Sequence, residues 1–201
     1  MRSYKLPHIN IRQQETEQIQ VALGFPAYSY FHPHIYALSL LSIILGGNMS
    51  SRLFTQVRER RGLVYYVKSG TGVYQDTGEL IVQAGVSENN LFKALEIILA
   101  ELKKVKTMRV NRKELDRAKE FIRGKLILAM EDSASVAEWC GKQKLFTDKI
   151  LTPEEKLKKY FKVTQNEVQQ VAKDIIKQNR MNFAMIGPVQ NEKDLLRVLK
   201  V

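Results

Sequence analysis

Leu45-Gly-Gly-Asn-Met-Ser-Ser-Arg-Leu-Phe-Thr-Gln-Val-Arg-Glu-Arg-Arg-Gly-Leu-Val-Tyr-Tyr-Val67 decides how this chain is organised. An apolar helical run ends at Gly46-Gly47. A charged helix is expected to begin at Ser50 or Ser51, whose hydroxyls suit the free N–H groups of a helix start. Gly62 supplies the stop, because glycine takes the left-handed backbone common just past a helix end. The β-branched and aromatic residues after it predict a strand. The stretch therefore reads helix, Gly-rich turn, helix, stop, strand. It brings Arg58 and Tyr65 together where a helix gives way to a strand.

Outward from this stretch, the N-terminal side is simple. Pro7 and the alternation of His8, Ile9, Asn10 and Ile11 suggest an extended piece, so residues 1–14 are read as a linker or edge segment and residues 15–201 as a single domain. Residues 15–24 predict a half-buried strand with Ile19, Val21 and Leu23 on one face. His32-Pro33-His34 precedes a helix over residues 34–45 that is apolar on a wide face and should be deeply buried. Two histidines at a helix start are expected to point apart and to serve the loop or surface rather than a metal.

On the C-terminal side, a strand over residues 63–74 contains Gly70 and Gly72, which suggest a bulge or bend. Gln75-Asp-Thr-Gly78 is a turn, and residues 79–86 return as a strand that completes an antiparallel hairpin. This second strand is a candidate to pair with an extended peptide or with another half of the same fold. Helical spacing of Leu91, Leu95, Ile98, Leu102 and Val105 predicts a helix. Asn111 with Glu114, and Thr164 with Glu167, have capping-box spacing, and Thr152-Pro153 marks another helix start. Residues 180–188 read as a last strand and residues 192–199 as a short final helix.

Composition narrows the function. The chain has 201 residues, 44% hydrophobic and 26% charged, enough for one domain with a proper core. Its apolar runs are too short to cross a bilayer, and its first residues have no apolar signal region; a soluble, cytoplasmic protein is the expectation. The lone Cys140 excludes an internal disulfide and a cysteine-based zinc site. It is read as a small buried hydrophobe on a helix. The net charge of +11 raises nucleic acid as a partner. However, the lysines and arginines are interleaved with glutamates along helices, the pattern of solvated faces, so a basic nucleic-acid-binding module stays an outside alternative.

The quoted stretch is similar to the second-half signature of the M16 zinc metallopeptidases, the family of pitrilysin, insulin-degrading enzyme and the mitochondrial processing peptidases. The matching residues are Gly46-Gly-x-Met-Ser-Ser-Arg-Leu-Phe54 and Val57-Arg-Glu-x-Arg-Gly-Leu-x-Tyr65. Glu114-Leu-x-Arg-Ala-Lys119 and the Gly187-Pro188 ending resemble the family as well. The resemblance implies an α+β, M16 metallopeptidase-like fold, with an antiparallel sheet and helices packed mainly on one face. It also implies that this is the C-terminal, non-zinc half of a duplicated enzyme. The family's zinc motif, His-x-x-Glu-His, is absent. The helix that would correspond to it offers Leu, Ser and Ile, so no metal is expected here, and zinc is expected in the other half, where it would activate water. This chain alone is expected to be inactive.

By the same resemblance, Arg58 and Tyr65, seven residues apart, reach into the active site to hold substrate or support the transition state. The plainer alternatives are an exposed helix arginine and a packed strand tyrosine, with Tyr66 competing for the role. Gly46, Gly47 and Asn48 form a turn that is a further candidate for substrate contact. The implied partners are a zinc-bearing N-terminal half, on the same chain or a partner subunit, and a peptide. Removing that half is expected to bare an apolar face that would admit a homodimer. A non-catalytic M16-like scaffold or partner subunit is the alternative function.

Overall fold

Alternating apolar and polar side chains build a single sheet. The computed structural model describes residues 7–188 and 192–201. Residues 1–6 of the predicted linker or edge segment lie outside the described residues. The strands are β1 (His8–Gln13), β2 (Ile19–Ala27), β3 (Val64–Val73), β4 (Gly78–Val86) and β5 (Asn182–Gly187), in the order β1-β5-β2-β4-β3. Neighbours from β5 to β3 are antiparallel, and β1 adds to β5 in parallel. The β2 strand begins later than expected and runs through Phe25 and Pro26 to Ala27. Its partner β4 explains the extension, since Phe25, Pro26 and Ala27 pair with Leu80, Glu79 and Gly78.

This strand order corrects one expectation. Residues 79–86 fall in β4, which has β2 on one side and β3 on the other. Both its edges are occupied, so β4 has no edge for a peptide; the unpaired edge beside it belongs to β3.

One face of the sheet is dry. Val21, Leu23 and Phe25 of β2 and Leu80 and Val82 of β4 are buried in a core shared with the helices. The helices are α1 (Ile35–Ser42), α2 (Leu91–Thr107), α3 (Arg112–Ala129), α4 (Ser133–Phe146), α5 (Pro153–Lys162), α6 (Gln165–Ile175) and α7 (Glu192–Val198). The period-2 partners on the opposite sheet face, Gln20, Ala22, Gly24 and Gln83, remain partly exposed. This is the layering of an α+β domain with helices mainly on one side.

The capping boxes form as their spacing predicts. Asn111 Oδ1 accepts from Lys113 N at 2.9 Å, and Glu114 reaches back to Asn111 N at 3.3 Å. Thr152 with Glu155, and Thr164 with Glu167, do the same for α5 and α6. By contrast α4 has no apolar stripe; its one buried residue is Gln143, whose side chain exchanges hydrogen bonds with the backbone of Leu151 at 3.1 and 3.3 Å. Cys140 is only half-buried on α4 rather than buried, because that helix lies on the outside of the core. No helix among the described residues is long and apolar enough to cross a membrane.

Candidate functional site

The site is built from the core outward. Leu38, Leu40 and Leu41 bury α1 against the sheet. Beyond Ser42 the helix widens into a looser turn over Ile43–Gly47. Gly46 is the reason this turn can lie on β3. A Cβ there would stand 2.5 Å from Ser69 N and 2.9 Å from the Lys68 carbonyl carbon, both backbone atoms. Glycine is required by the close approach. Ser42 Oγ and Ser69 Oγ share a hydrogen bond at 3.2 Å across the same contact.

The next helical segment, Phe54–Glu59, is also wide, with Arg60 N donating to Thr55 O at 3.0 Å. Leu53 and Val57 are buried and fix its inner side, which leaves Arg58 exposed. Its start is capped differently from the expectation. Neither Ser50 nor Ser51 caps with its side chain; Asn48 Oδ1 instead accepts from Ser50 N at 2.9 Å. Ser51 Oγ is buried and, among the described residues, has no hydrogen-bond partner. The segment ends as predicted: Gly62 has φ +59°, and its N–H donates to Arg58 O at 2.9 Å.

A residue that sequence reasoning left unassigned anchors this segment. Arg52 donates Nε to Glu114 Oε1 at 2.6 Å and Nη2 to Glu114 Oε2 at 2.8 Å. This two-pronged, largely buried pair ties the site to the start of α3. The hydrogen bond that the guanidinium donates to Glu114 holds it above its ordinary pKa, against the opposing effect of burial. The partners are 62 positions apart, so no local pattern could have revealed them.

Tyr65 then falls at an irregularity in the sheet. Val64 pairs with Val86 and Tyr66 with Gly85, so Tyr65 is the extra residue of a β-bulge. Bulges re-aim side chains and are frequent beside functional sites. The bulge lies here, not at Gly70 or Gly72, and Gly85 gives the local reason: a Cβ there would sit 2.7 Å from Tyr66 Cε1. The Tyr66 ring crosses that gap, and its hydroxyl donates to Gln20 Oε1 at 2.6 Å.

The two tyrosines therefore separate cleanly. Tyr66 is engaged within the sheet, whereas Tyr65 is 53% exposed and, among the described residues, its hydroxyl makes no hydrogen bond. Arg58 is comparable. Its guanidinium carbon lies 5.2 Å from the centroid of the Phe54 ring, and among the described residues it has no ion pair. Arg58 and Tyr65 are two unengaged donors at one helix-to-strand junction, and a guanidinium and a phenol can both donate to an oxygen that carries or develops negative charge.

The remaining candidates are distributed elsewhere. Gly46 is buried, Gly47 and Asn48 are half-buried, and Met49 beyond them is exposed. His32 and His34 do not point apart as expected: their ring centroids lie 5.7 Å from each other, and His32 Nδ1 accepts from His34 N at 3.2 Å. His32 stacks on Tyr28 at 3.6 Å, and burial, followed by the neighbouring His34, pushes its pKa down. On α1, Ser39 accepts from the Tyr160 hydroxyl at 3.4 Å and Ser42 is held by Ser69. These hydroxyls do not make a zinc site. Among the described residues no group of three or more His, Cys, Asp or Glu is placed to hold a metal ion.

Comparison with known proteins agrees with this architecture. The family model described as the peptidase M16 inactive domain matches residues 2–122. An uncharacterised zinc protease of Bacillus subtilis is 36% identical over 180 residues, covering 90% of this chain and 44% of that protein. One from Streptomyces coelicolor is 33% identical over 180 residues, covering 90% of this chain and 39% of that protein. The chain thus spans less than half the length of these relatives. Among solved structures, a protease from Helicobacter pylori superposes with a TM-score of 0.82 at 22% identity, over 93% of this chain and 45% of that one. A peptidase M16 inactive domain from Pseudomonas fluorescens does so with a TM-score of 0.77 at 23% identity, over 92% and 44%. At these identities the superpositions speak for the fold.

Proposed function

Because this chain belongs to the peptidase M16 family as its inactive domain, we propose that it is the substrate-facing half of a zinc metalloendopeptidase. The zinc-bearing half is a separate domain or subunit, and the two act on a peptide together. The observation that carries this reading is the pair of unengaged donors, Arg58 and Tyr65, at a glycine-stopped helix and a β-bulge. In the assembled enzyme these side chains donate to the substrate backbone and to the oxyanion that forms as the peptide carbonyl is attacked. Donors already fixed in place need no reorganisation as charge develops, and each contributes on the order of 10²–10³ in rate. Gly47 and Asn48 of the neighbouring turn are a second, weaker contact with the same peptide. The residues of α1 do not fit zinc, so no step of the hydrolysis is assigned to a metal in this chain.

Reconstitution tests the reading. The chain is mixed with a zinc-bearing M16 N-terminal half, and cleavage of a quenched fluorescent peptide is followed. The expected result is hydrolysis by the mixture and none by this chain with zinc alone. Hydrolysis by this chain alone would overturn the assignment. A mixture no more active than the zinc-bearing half by itself would also contradict it, and would favour a scaffold.

A further inference from the structure

At the far end of β3 from Tyr65, the structure opens a cavity of about 980 Å3 between the start of α1, the end of α3, α4 and α5. Thr71 and Val73 of β3 line it, about 20 Å along the strand from Tyr65 at roughly 3.3 Å per residue. It is therefore separate from the Arg58–Tyr65 site. Its volume is at the upper end for small-ligand pockets, roughly 300–1,000 Å3.

Two features of the wall stand out. One is a set of cations without counter-charges. Lys142 of α4 and Lys156 and Lys159 of α5 all line the cavity. Among the described residues no carboxylate lies within ion-pair distance of any of them. Two glutamates share the wall, Glu138 exposed on α4 and Glu167 in the α6 cap, and neither forms an ion pair with these lysines. Lys156 is held over the Trp139 ring at 4.1 Å, and Lys159 over the Tyr36 ring at 5.6 Å. Burial, then the like charges of Lys142 and Lys159, push the Lys156 ammonium below its ordinary pKa. Lys156 is half-buried and Lys142 and Lys159 are exposed at the rim, so the cost of leaving a cation without an anion falls chiefly on Lys156.

The other feature is the aliphatic remainder of the wall: Ile35, Val73, Leu126, Ala129 and Leu151. The neighbouring rings already have partners, since lysines cover Trp139 and Tyr36, and Tyr30 stacks on Phe146 at 4.9 Å. A flat aromatic ligand would displace these contacts, whereas a flexible hydrocarbon would fill the aliphatic side without disturbing them.

We infer that this cavity binds an anionic amphiphile, with the charged head at Lys142, Lys156 and Lys159 and an alkyl body against Ile35, Val73 and Leu126. The inference stands independently of the proposed peptidase role. Trp139 is the chain's one tryptophan, so its emission reports on this wall directly. The test titrates the chain with dodecanoate below micelle-forming concentrations, following Trp139 fluorescence and calorimetry. Dodecylamine serves as the opposite-charge probe, and inorganic phosphate as the head without the chain.

Saturable dodecanoate binding with a change in Trp139 emission is expected, at least about tenfold tighter than dodecylamine or phosphate, since dodecylamine lacks the anionic head and phosphate lacks the chain. Lys156→Met retains most of the stem but removes the charge, and should weaken dodecanoate about tenfold. Lys93→Met, on an exposed part of α2 outside the cavity, should leave binding unchanged. Four results would overturn the inference: no saturable binding, equal binding of dodecylamine, phosphate binding as tightly as dodecanoate, or equal losses in the Lys156 and Lys93 variants. An unchanged thermal midpoint for Lys156→Met separates loss of binding from loss of fold. If that variant is destabilised, Lys159→Met carries the same expectation.

Discussion

Arg58→Ala, made in the assembled two-half enzyme, is expected to lower kcat/KM for peptide hydrolysis by about 10²–10³ while leaving the unfolding midpoint of this chain unchanged. The stability half of the expectation follows from exposure. Arg58 projects from a segment whose packing is supplied by Leu53 and Val57; its guanidinium lies over the Phe54 ring and, among the described residues, makes no ion pair. Removing it leaves no cavity and no stranded partner. Tyr65→Phe should behave alike with a smaller loss, since it deletes one hydroxyl and keeps the ring. Tyr66→Phe supplies the contrast. Its hydroxyl is bonded to Gln20 at 2.6 Å, so its loss should cost about 1 kcal/mol of stability and little activity. If Arg58 and Tyr65 act as donors in the transition state, the losses appear mainly in kcat. A pure rise in KM would mean that they only hold the substrate. Full activity in both variants would reduce this domain to a wall of the chamber.

Gly46→Ala is expected to be the most damaging conservative change at the site, destabilising by about 3 kcal/mol in urea unfolding. The new methyl would meet Ser69 N at 2.5 Å and the Lys68 carbonyl carbon at 2.9 Å. Those atoms belong to the β3 backbone and cannot swing aside, so the turn and strand must separate. Gly47→Ala is the internal control. Its nearest neighbours are Ile43 side-chain atoms at 3.0 and 3.2 Å, which can shift by a few tenths of an ångström, and a loss of under about 1 kcal/mol is expected. Equal destabilisation by the two changes would contradict the packing role of Gly46. Because β3 also carries Tyr65, whatever Gly46→Ala leaves folded should lose peptidase activity in the assembled enzyme.

Features set by neighbouring residues were legible from the sequence. The glycine stop at Gly62, the capping boxes at Asn111 and Thr164, the helix start at Thr152-Pro153, and the alternating strand containing Ile19, Val21 and Leu23 all rest on short-range chemistry, and they form as expected. What escaped depends on partners distant in the chain. The central position of β4 is fixed by the arrival of β3 on its second edge. Gly70 and Gly72 point to a bulge in their part of β3, because glycines mark flexible backbone. It forms at Tyr65, where Gly85 on the facing strand leaves room for the Tyr66 ring. The cap before Phe54–Glu59 is a local exception: Asn48 accepts from Ser50 N two residues on, in place of a Ser50 or Ser51 side-chain cap, while Ser51 lies in the interior. For the candidate site, the resemblance singled out Arg58 and Tyr65, and composition alone would have left them as an ordinary surface arginine and strand tyrosine. The pairing of Arg52 with Glu114 had no sequence signal at all.

In the assembled enzyme the helix-to-strand junction of this chain is expected to touch the peptide undergoing hydrolysis. Photocrosslinking tests it most directly. A photoreactive phenylalanine analogue is placed at Tyr65 in one sample and at Tyr74 in another. Tyr74 is similarly exposed, at 55% against 53%, but lies just beyond the opposite end of β3. Each chain is assembled with a zinc-bearing half whose catalytic glutamate is replaced by glutamine, so that a labelled peptide is bound but not cut. Crosslinking of the peptide from position 65, competed by unlabelled substrate, is expected, and none from position 74. Crosslinking from position 74 alone, or equally from both, would contradict it.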